Sequence, residues 1–299
     1  MFTASWNWKN WVRVSSAIVF VSLMGCKDSE FSHRKNVSEV AQFYGPKSQP
    51  YMAAVRWRKI DSQLMQSVCS HASLRELSIF TSTRDGSPIF PPVAKLPSLE
   101  MLNIVEVPLD DEDLRALGEA TQLRSLELSR TGISGRGLEY LAKLPLKRLV
   151  IRDKHLSIDG LRAIASMTEL EELELCIPSI RLADMPPLAS STKLKSVTIT
   201  DGHFSYREFG GLKFLMGATN LTDLHLSGVN LNDRSLKLIS TLNSLRNLII
   251  EECVVSEEGI EHLSKLSHLE KLEVAEWPSL RNTLRLAEGS EGVPQPIRS

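Results

Sequence analysis

The sequence predicts an α/β solenoid: a curved stack of strand-plus-helix units with parallel strands on the concave face and helices outside. The pattern L-x-x-L-x-L begins at Leu74, Leu99, Leu123, Leu146, Leu170, Leu194, Leu221, Leu245 and Leu269. Successive starts lie 25, 24, 23, 24, 24, 27, 24 and 24 residues apart, a near-constant period that marks a repeat architecture. Two patterns alternate inside each period. Leu126-Glu127-Leu128 places two leucines on one face of a short strand, whereas Leu138, Leu141 and Leu144 recur every three residues, as on a helix face. A single unit cannot shield its apolar side, but stacked neighbours can.

The segments before the repeats read differently. Lys9 and Arg13 are the only charges before Cys26, and an apolar run from Val14 to Met24 follows, broken only by serines. That run is shorter than the roughly 20 residues a membrane-spanning helix needs, and it has the layout of a secretory signal. Residues 1–25 are therefore expected to be a signal peptide. Residues 26–50 are polar, with Ser29, Ser32, Ser38, Gly45, Pro46 and Pro50, and are expected to form a flexible tether. In register with a complete unit, Ile60, Met65 and Val68 match Leu231, Leu236 and Ile239. Residues 51–73 are thus expected to form a helical N-terminal cap with an incomplete strand near Val55.

Residues 74–286 are expected to hold the repeats and, from Trp277 to Leu286, a C-terminal cap, with 287–299 a disordered tail. Asn232, Ser256 and Ser134 precede helical segments and are expected to cap them. Two stretches depart from the pattern. Residues 86–97 carry Gly86, Pro88, Pro91 and Pro92, and residues 178–192 carry Pro178, Pro186 and Pro187, so extended or 3₁₀ segments are expected there. The unit starting at Leu194 has three extra residues near 202–207, where a bulging loop is expected.

The stretches Leu123 to Leu138 and Leu245 to Ile260 resemble the cysteine-containing subtype of leucine-rich repeat. Thr131 and Cys253 occupy its small-residue position, and Gly137-Leu138 and Gly259-Ile260 match its glycine-aliphatic step. The resemblance covers roughly residues 60 to 275 and implies a right-handed solenoid with both small side chains buried. It implies no activity, because this scaffold serves many partners. Leu23-Met24-Gly25-Cys26 resembles the bacterial lipobox, although Met24 departs from the small or β-branched residue usual at its place. That resemblance implies that Cys26 is lipidated and becomes the mature N-terminus, anchored to a membrane of the bacterial cell envelope.

The candidate binding surface follows from the pleat. The second, fourth, sixth and seventh residues after each first leucine are expected to face the concave side. Those positions hold twelve acids and four bases, whereas the whole chain carries a net charge of -1. The candidate partner-binding residues are Glu127, Arg148, Arg152, Glu172, Glu174, Asp201, Asp223, His225, Glu251 and Glu273. An acidic trough of this kind steers a basic peptide, protein or cationic ligand. Equally, water-exposed strands carry charge simply to stay soluble. Arg130, Arg148 and Arg152 form a local basic spot, expected to pair with Glu127, Asp153 and Glu172. The near-neutral chain gives no ground for a nucleic-acid partner.

The chemistry of a catalyst is missing from the pattern. The seven histidines show no metal-ligand spacing, and the four cysteines form no CxxC pair. No phosphate-binding glycine loop or serine nucleophile elbow occurs. We therefore expect no enzyme activity, no cofactor and no metal. The leading expectation is a lipid-anchored module that binds a protein or peptide. The alternatives are a structural or adhesive envelope protein that binds cell wall or glycan, and an intracellular adaptor of the ubiquitin-ligase type. Phe80 is nearly the only aromatic on the concave positions, which weighs against glycan, and the leader weighs against the adaptor.

Overall fold

The computed structural model describes residues 41–275, apart from 46–48, 57–59, 81–83, 85, 179–184, 189–190, 201–211, 230 and 254. Its strands are β1 (Ala41–Tyr44), β2 (Met52–Arg56), β3 (Glu76–Phe80), β4 (Met101–Val105), β5 (Ser125–Ser129), β6 (Arg148–Arg152), β7 (Glu172–Cys176), β8 (Ser196–Thr200), β9 (Asp223–Ser227), β10 (Asn247–Glu251) and β11 (Lys271–Ala275). They form one eleven-stranded sheet in simple sequence order, parallel throughout except for the antiparallel β1–β2 pair. The helices are α1 (Ser62–Cys69), α2 (Phe90–Ala94), α3 (Asp111–Leu117), α4 (Leu138–Leu141), α5 (Ile158–Ala165), α6 (Asp233–Ile239) and α7 (Glu257–Leu263).

The leucine register accounts for this arrangement. In β5, Leu126 and Leu128 are fully buried on the core face, and Leu123 joins them from the preceding turn. The same positions repeat from Leu74 to Leu272, and the buried side chains form one continuous core running from Ala41 to Leu272. Each unit is tied to the next through one backbone carbonyl. The oxygens of Arg75, Glu100, Arg124, Lys147, Glu171, Lys195, Thr222 and Arg246 each accept two amide hydrogens from the following unit, at 2.7–3.0 Å. Neighbouring strands lie about 4.8 Å apart, whereas helices are about 10 Å across, so the helical side is the wider and the strand side is concave.

The helix starts are built as their sequences require. Asn232 and Ser256 accept from the amides of Ser235 and Gly259, both at 2.9 Å, and so cap α6 and α7. Ser134 does not cap α4. That helix starts four residues later, after Gly137, whose amide instead donates to Asp111 Oδ1 at 3.0 Å. Helix α3 carries a reciprocal pair: Asp110 accepts from the Asp113 amide, and Asp113 accepts from the Asp110 amide. Arg84 donates to both carboxylates, pinning the irregular outer segment after β3 to this helix start.

Three expectations need correction. The polar 26–50 segment is not tether to its end, because β1 occupies 41–44. Alternation there puts Ala41 in the core and Phe43 against the His71 ring at 4.5 Å, a two-residue period hidden by the polar average. Residues 86–97 were expected to lack a helix, yet they hold α2. Pro91 and Pro92 lie in its first turn, where the missing N–H groups would be unpaired anyway. The 51–73 segment contains a full strand, β2, as well as α1. The bulge expected at 202–207, the cap expected at 276–286 and the tail at 287–299 lie outside the described residues, as do residues 1–40.

Two glycines show how closely the outer turns pack. A Cβ added to Gly160, in the first turn of α5, would sit 2.9 Å from the Gly135 Cα and 2.9 Å from Leu156 Cδ1. Gly135 itself has φ +99°, which side chains rarely adopt. Gly160→Ala is expected to cost about 1–3 kcal/mol through overpacking. A urea midpoint equal to that of the wild type would refute this.

Candidate functional site

The sheet face opposite the core is made of the second, fourth and sixth residues after each first leucine. The parallel register lines these residues up in rows that run across the strands. The seventh residue, expected to share this face, does not do so consistently. Glu106, Arg130 and Glu252 lie in the left-handed region with φ of 60°, 53° and 53°, as does Gly228 at the same register in β9's unit, and the chain leaves the sheet there. Arg130 and Glu106 form an exposed pair at 2.7 Å. At the same register Ile177 is fully buried in the core.

Asp153, counted by sequence as a trough acid and a partner for arginine, is neither. It is buried, and its Oδ2 accepts from the Thr131 amide at 2.8 Å, the Thr131 hydroxyl at 2.8 Å and the Gly132 amide at 2.9 Å. It is a staple between adjacent units. Thr131 is thereby satisfied in the core, and buried Cys253 at the equivalent place lies 3.1 Å from the Glu251 carbonyl.

The centre of the sheet face is closed by a triad. Arg152 donates through Nε and Nη2 to Glu174 Oε1, at 3.0 and 2.7 Å, and through Nη1 to Glu127 Oε1. Ser129 also donates to Glu127, at 3.2 Å. The side chains of Glu127, Glu174 and Arg152 are only 3%, 11% and 22% exposed, and Val150 between the two glutamates is fully buried. Three of the candidate binding residues therefore hold one another rather than facing an incoming ligand. Arg148 pairs with Glu172 at 3.3 Å, not with the acids of the triad.

Toward β11 the face is acidic and more open. Asp223 accepts from Asn247 and Thr222, both at 2.6 Å, and the His225 Nε2 lies 3.1 Å from Glu251 Oε2. Glu273 pairs with Lys271 at 2.9 Å. Asp201 lies outside the described residues. Toward β2 the same face is mixed, with exposed Arg56 in register beside Phe80 and with Glu76 between Met52 and Met101. Met52, Phe80, Met101 and Val105 are half-buried there, beside the hydrogen-bonded pair Asn103–Ser78. Among the described residues, the carboxylate that β2 to β4 place on this face is Glu76. Burial pushes its carboxyl above the ordinary range, and its Oε1 finds no hydrogen-bond partner among the described residues. Sequence reasoning picked out Phe80; that Val105 lies beside it follows only from strand pairing.

Acid–base behaviour is local. The hydrogen bond from His225 holds the Glu251 carboxyl below its usual range, with burial opposing it and Lys271 adding a smaller pull. A depressed folded-state value contributes stability above the unfolded value of about 4.3, and that contribution is lost as pH falls through the lower folded value. His225→Gln is therefore expected to flatten the fall in urea midpoint on acidification below about pH 4. An unchanged pH profile would contradict this assignment. Burial pushes the Cys69 and Cys253 thiols up to about 12, so neither supplies a thiolate nucleophile at neutral pH. Among the described residues no three His, Cys, Asp or Glu side chains gather as metal ligands.

This architecture is an α/β leucine-rich-repeat solenoid. Solved structures of that class are similar to it. An internalin, inlF, from Listeria monocytogenes str. 4b F2365 superposes with a TM-score of 0.45 at 17% identity, covering 70% of each chain. The TLR13–ssRNA13 complex gives a TM-score of 0.50 at 16% identity, covering 73% of this chain and 31% of that one. The plant peptide hormone receptor RGFR1 in complex with RGF2 gives 0.43 at 15% identity, covering 76% and 35%. No family profile and no curated protein sequence matches the chain. The likeness is one of fold.

Proposed function

We propose that this chain is a non-enzymatic binding module that takes a basic segment of a protein or peptide on its concave sheet. The observation that carries the reading is the charge left on that face. Along the second, fourth and sixth positions of β3 to β11, seven carboxylates stand against three cations, and the most open of them lie on β7 to β11. Such a face attracts cationic groups and repels phosphate, which favours a basic polypeptide over the RNA of the TLR13 complex. The buried Thr131 and Cys253 support reading the units as the cysteine-containing repeat subtype.

We place the module in a bacterial cell envelope, lipid-anchored at Cys26, on the strength of Leu23-Met24-Gly25-Cys26. Metabolic labelling with a fatty acid is expected to mark the wild type and not Cys26→Ser, and equal membrane partitioning of the two would remove the anchor. For binding, capture from envelope extract is compared between wild type and the Glu172→Gln, Asp223→Asn, Glu251→Gln variant. A captured protein that is lost in the variant, and weakened as salt rises to physiological strength, is the expected result. Capture indifferent to both salt and these carboxylates would overturn the reading.

A further inference from the structure

The acidic end of the concave face holds a side chain of the one type that ordinarily changes charge near neutral pH. His225 stands at the middle of β9, in register with Thr198 of β8 and Ile249 of β10. Its Nε2 lies 3.1 Å from Glu251 Oε2, and the two side chains are 29% and 43% exposed, so both reach solvent. Asp223 comes two residues earlier on the same strand, and Lys271 and Glu273 lie on β11, beyond β10. From β8 the face receives Ser196, Thr198 and Thr200, which carry no charge. From β10 it receives Asn247 and Ile249 besides Glu251. Farther off, on β7, Glu172 is paired with Arg148 and Glu174 with Arg152. From β9 to β11, the charges that share this face with His225 are thus three carboxylates and one lysine.

We propose that His225 is a pH sensor for this face: its protonation weakens the hold on a basic partner, and binding strengthens as the imidazole loses its proton. The proposal rests on the binding reading above and adds its regulation. Carboxylates ordinarily titrate near about 4 and lysine near about 10, which leaves imidazole to change charge between roughly pH 5 and 8. With His225 neutral, β9 to β11 present three carboxylates against one lysine, a net charge of -2; with it protonated, the net is -1. The added charge also falls where it counts, because it turns the hydrogen bond to Glu251 into an ion pair. That contact holds the Glu251 carboxyl below its usual range, so this acid is ionised throughout the imidazole range. A cation arriving on the face therefore meets half the net charge and one acid already engaged. Linkage makes the effect reciprocal: the factor that protonation takes from the affinity, a bound partner takes from the proton affinity of His225. Binding should then expel protons near about pH 6.5.

The test uses rhodamine-labelled octalysine as the probe, titrated with the full-length chain at constant low ionic strength and followed by fluorescence anisotropy. A charge gained a few ångströms from the bound cation, in a largely aqueous setting, changes an equilibrium about three- to tenfold. The wild type is accordingly expected to bind about three- to tenfold more weakly at about pH 5.5 than at about pH 7.5. His225→Gln keeps a hydrogen-bonding side chain that does not titrate, and its affinity should change less than about twofold. Calorimetry in buffers of different ionisation heat should show proton release near about pH 6.5 for the wild type and none for the variant. A wild-type affinity that ignores pH, or an equal change in His225→Gln, would overturn this inference and leave the binding reading standing. Octalysine held equally at about pH 7.5 by the wild type and by Asp223→Asn, Glu251→Gln would sink both. If the glutamine variant fails to melt cooperatively, His225→Asn takes its place in the comparison.

Discussion

Asp153→Ala is expected to lower folding stability by about 3–5 kcal/mol. The carboxylate satisfies the Thr131 amide, the Thr131 hydroxyl and the Gly132 amide of the neighbouring unit, all at 2.8–2.9 Å and all within the core's edge. Alanine leaves those donors buried without an acceptor, and each such orphan costs about 1–3 kcal/mol. Thr131→Val removes one donor and keeps the shape, so about 1 kcal/mol is expected. Because a solenoid is held together by nearest-neighbour contacts, a break at this central junction should also uncouple the two halves. Urea unfolding would then show a shallower slope as well as a lower midpoint. A loss below about 1 kcal/mol for Asp153→Ala would mean that the staple is not needed.

The second large effect concerns Arg152. Removing it by Arg152→Ala strands two carboxylates, one of them on a side chain only 3% exposed, and about 3–5 kcal/mol should be lost. The informative contrast is Arg152→Met combined with Glu127→Gln and Glu174→Gln. With the charges removed together, no ion is left uncompensated, and stability should return to near the wild-type value. Chemical denaturation of both variants decides the matter. If Arg152→Ala were as stable as the triple variant, the triad would be a surface pairing of little consequence.

These two predictions mark where sequence and structure part. The nine leucine registers, the alternation of strand and helix and the caps at Asn232 and Ser256 were all legible, because each follows from neighbours within one unit. The acids were legible as residue types but not as roles. Glu127, Glu174 and Asp153 read alike, as carboxylates on a strand or just past it, yet two close a triad and the third is a staple. Among the described residues, Glu172, Asp223, Glu251 and Glu273 keep carboxylates on the more open part of the face. The strand β1 was lost to sequence reading because Ala41 and Phe43 are too few to signal a strand without β2 beside them.

What the amino-acid order determined alone is the solenoid itself: a period of about 24 residues in aliphatic side chains admits one way of hiding them, a stack. Which charges stay available on that stack was decided by the tertiary structure. Residues some 24 positions apart become lateral neighbours about 4.8 Å apart only after the strands pair, and a carboxylate's role depends on whether that neighbour brings an arginine, an amide or water.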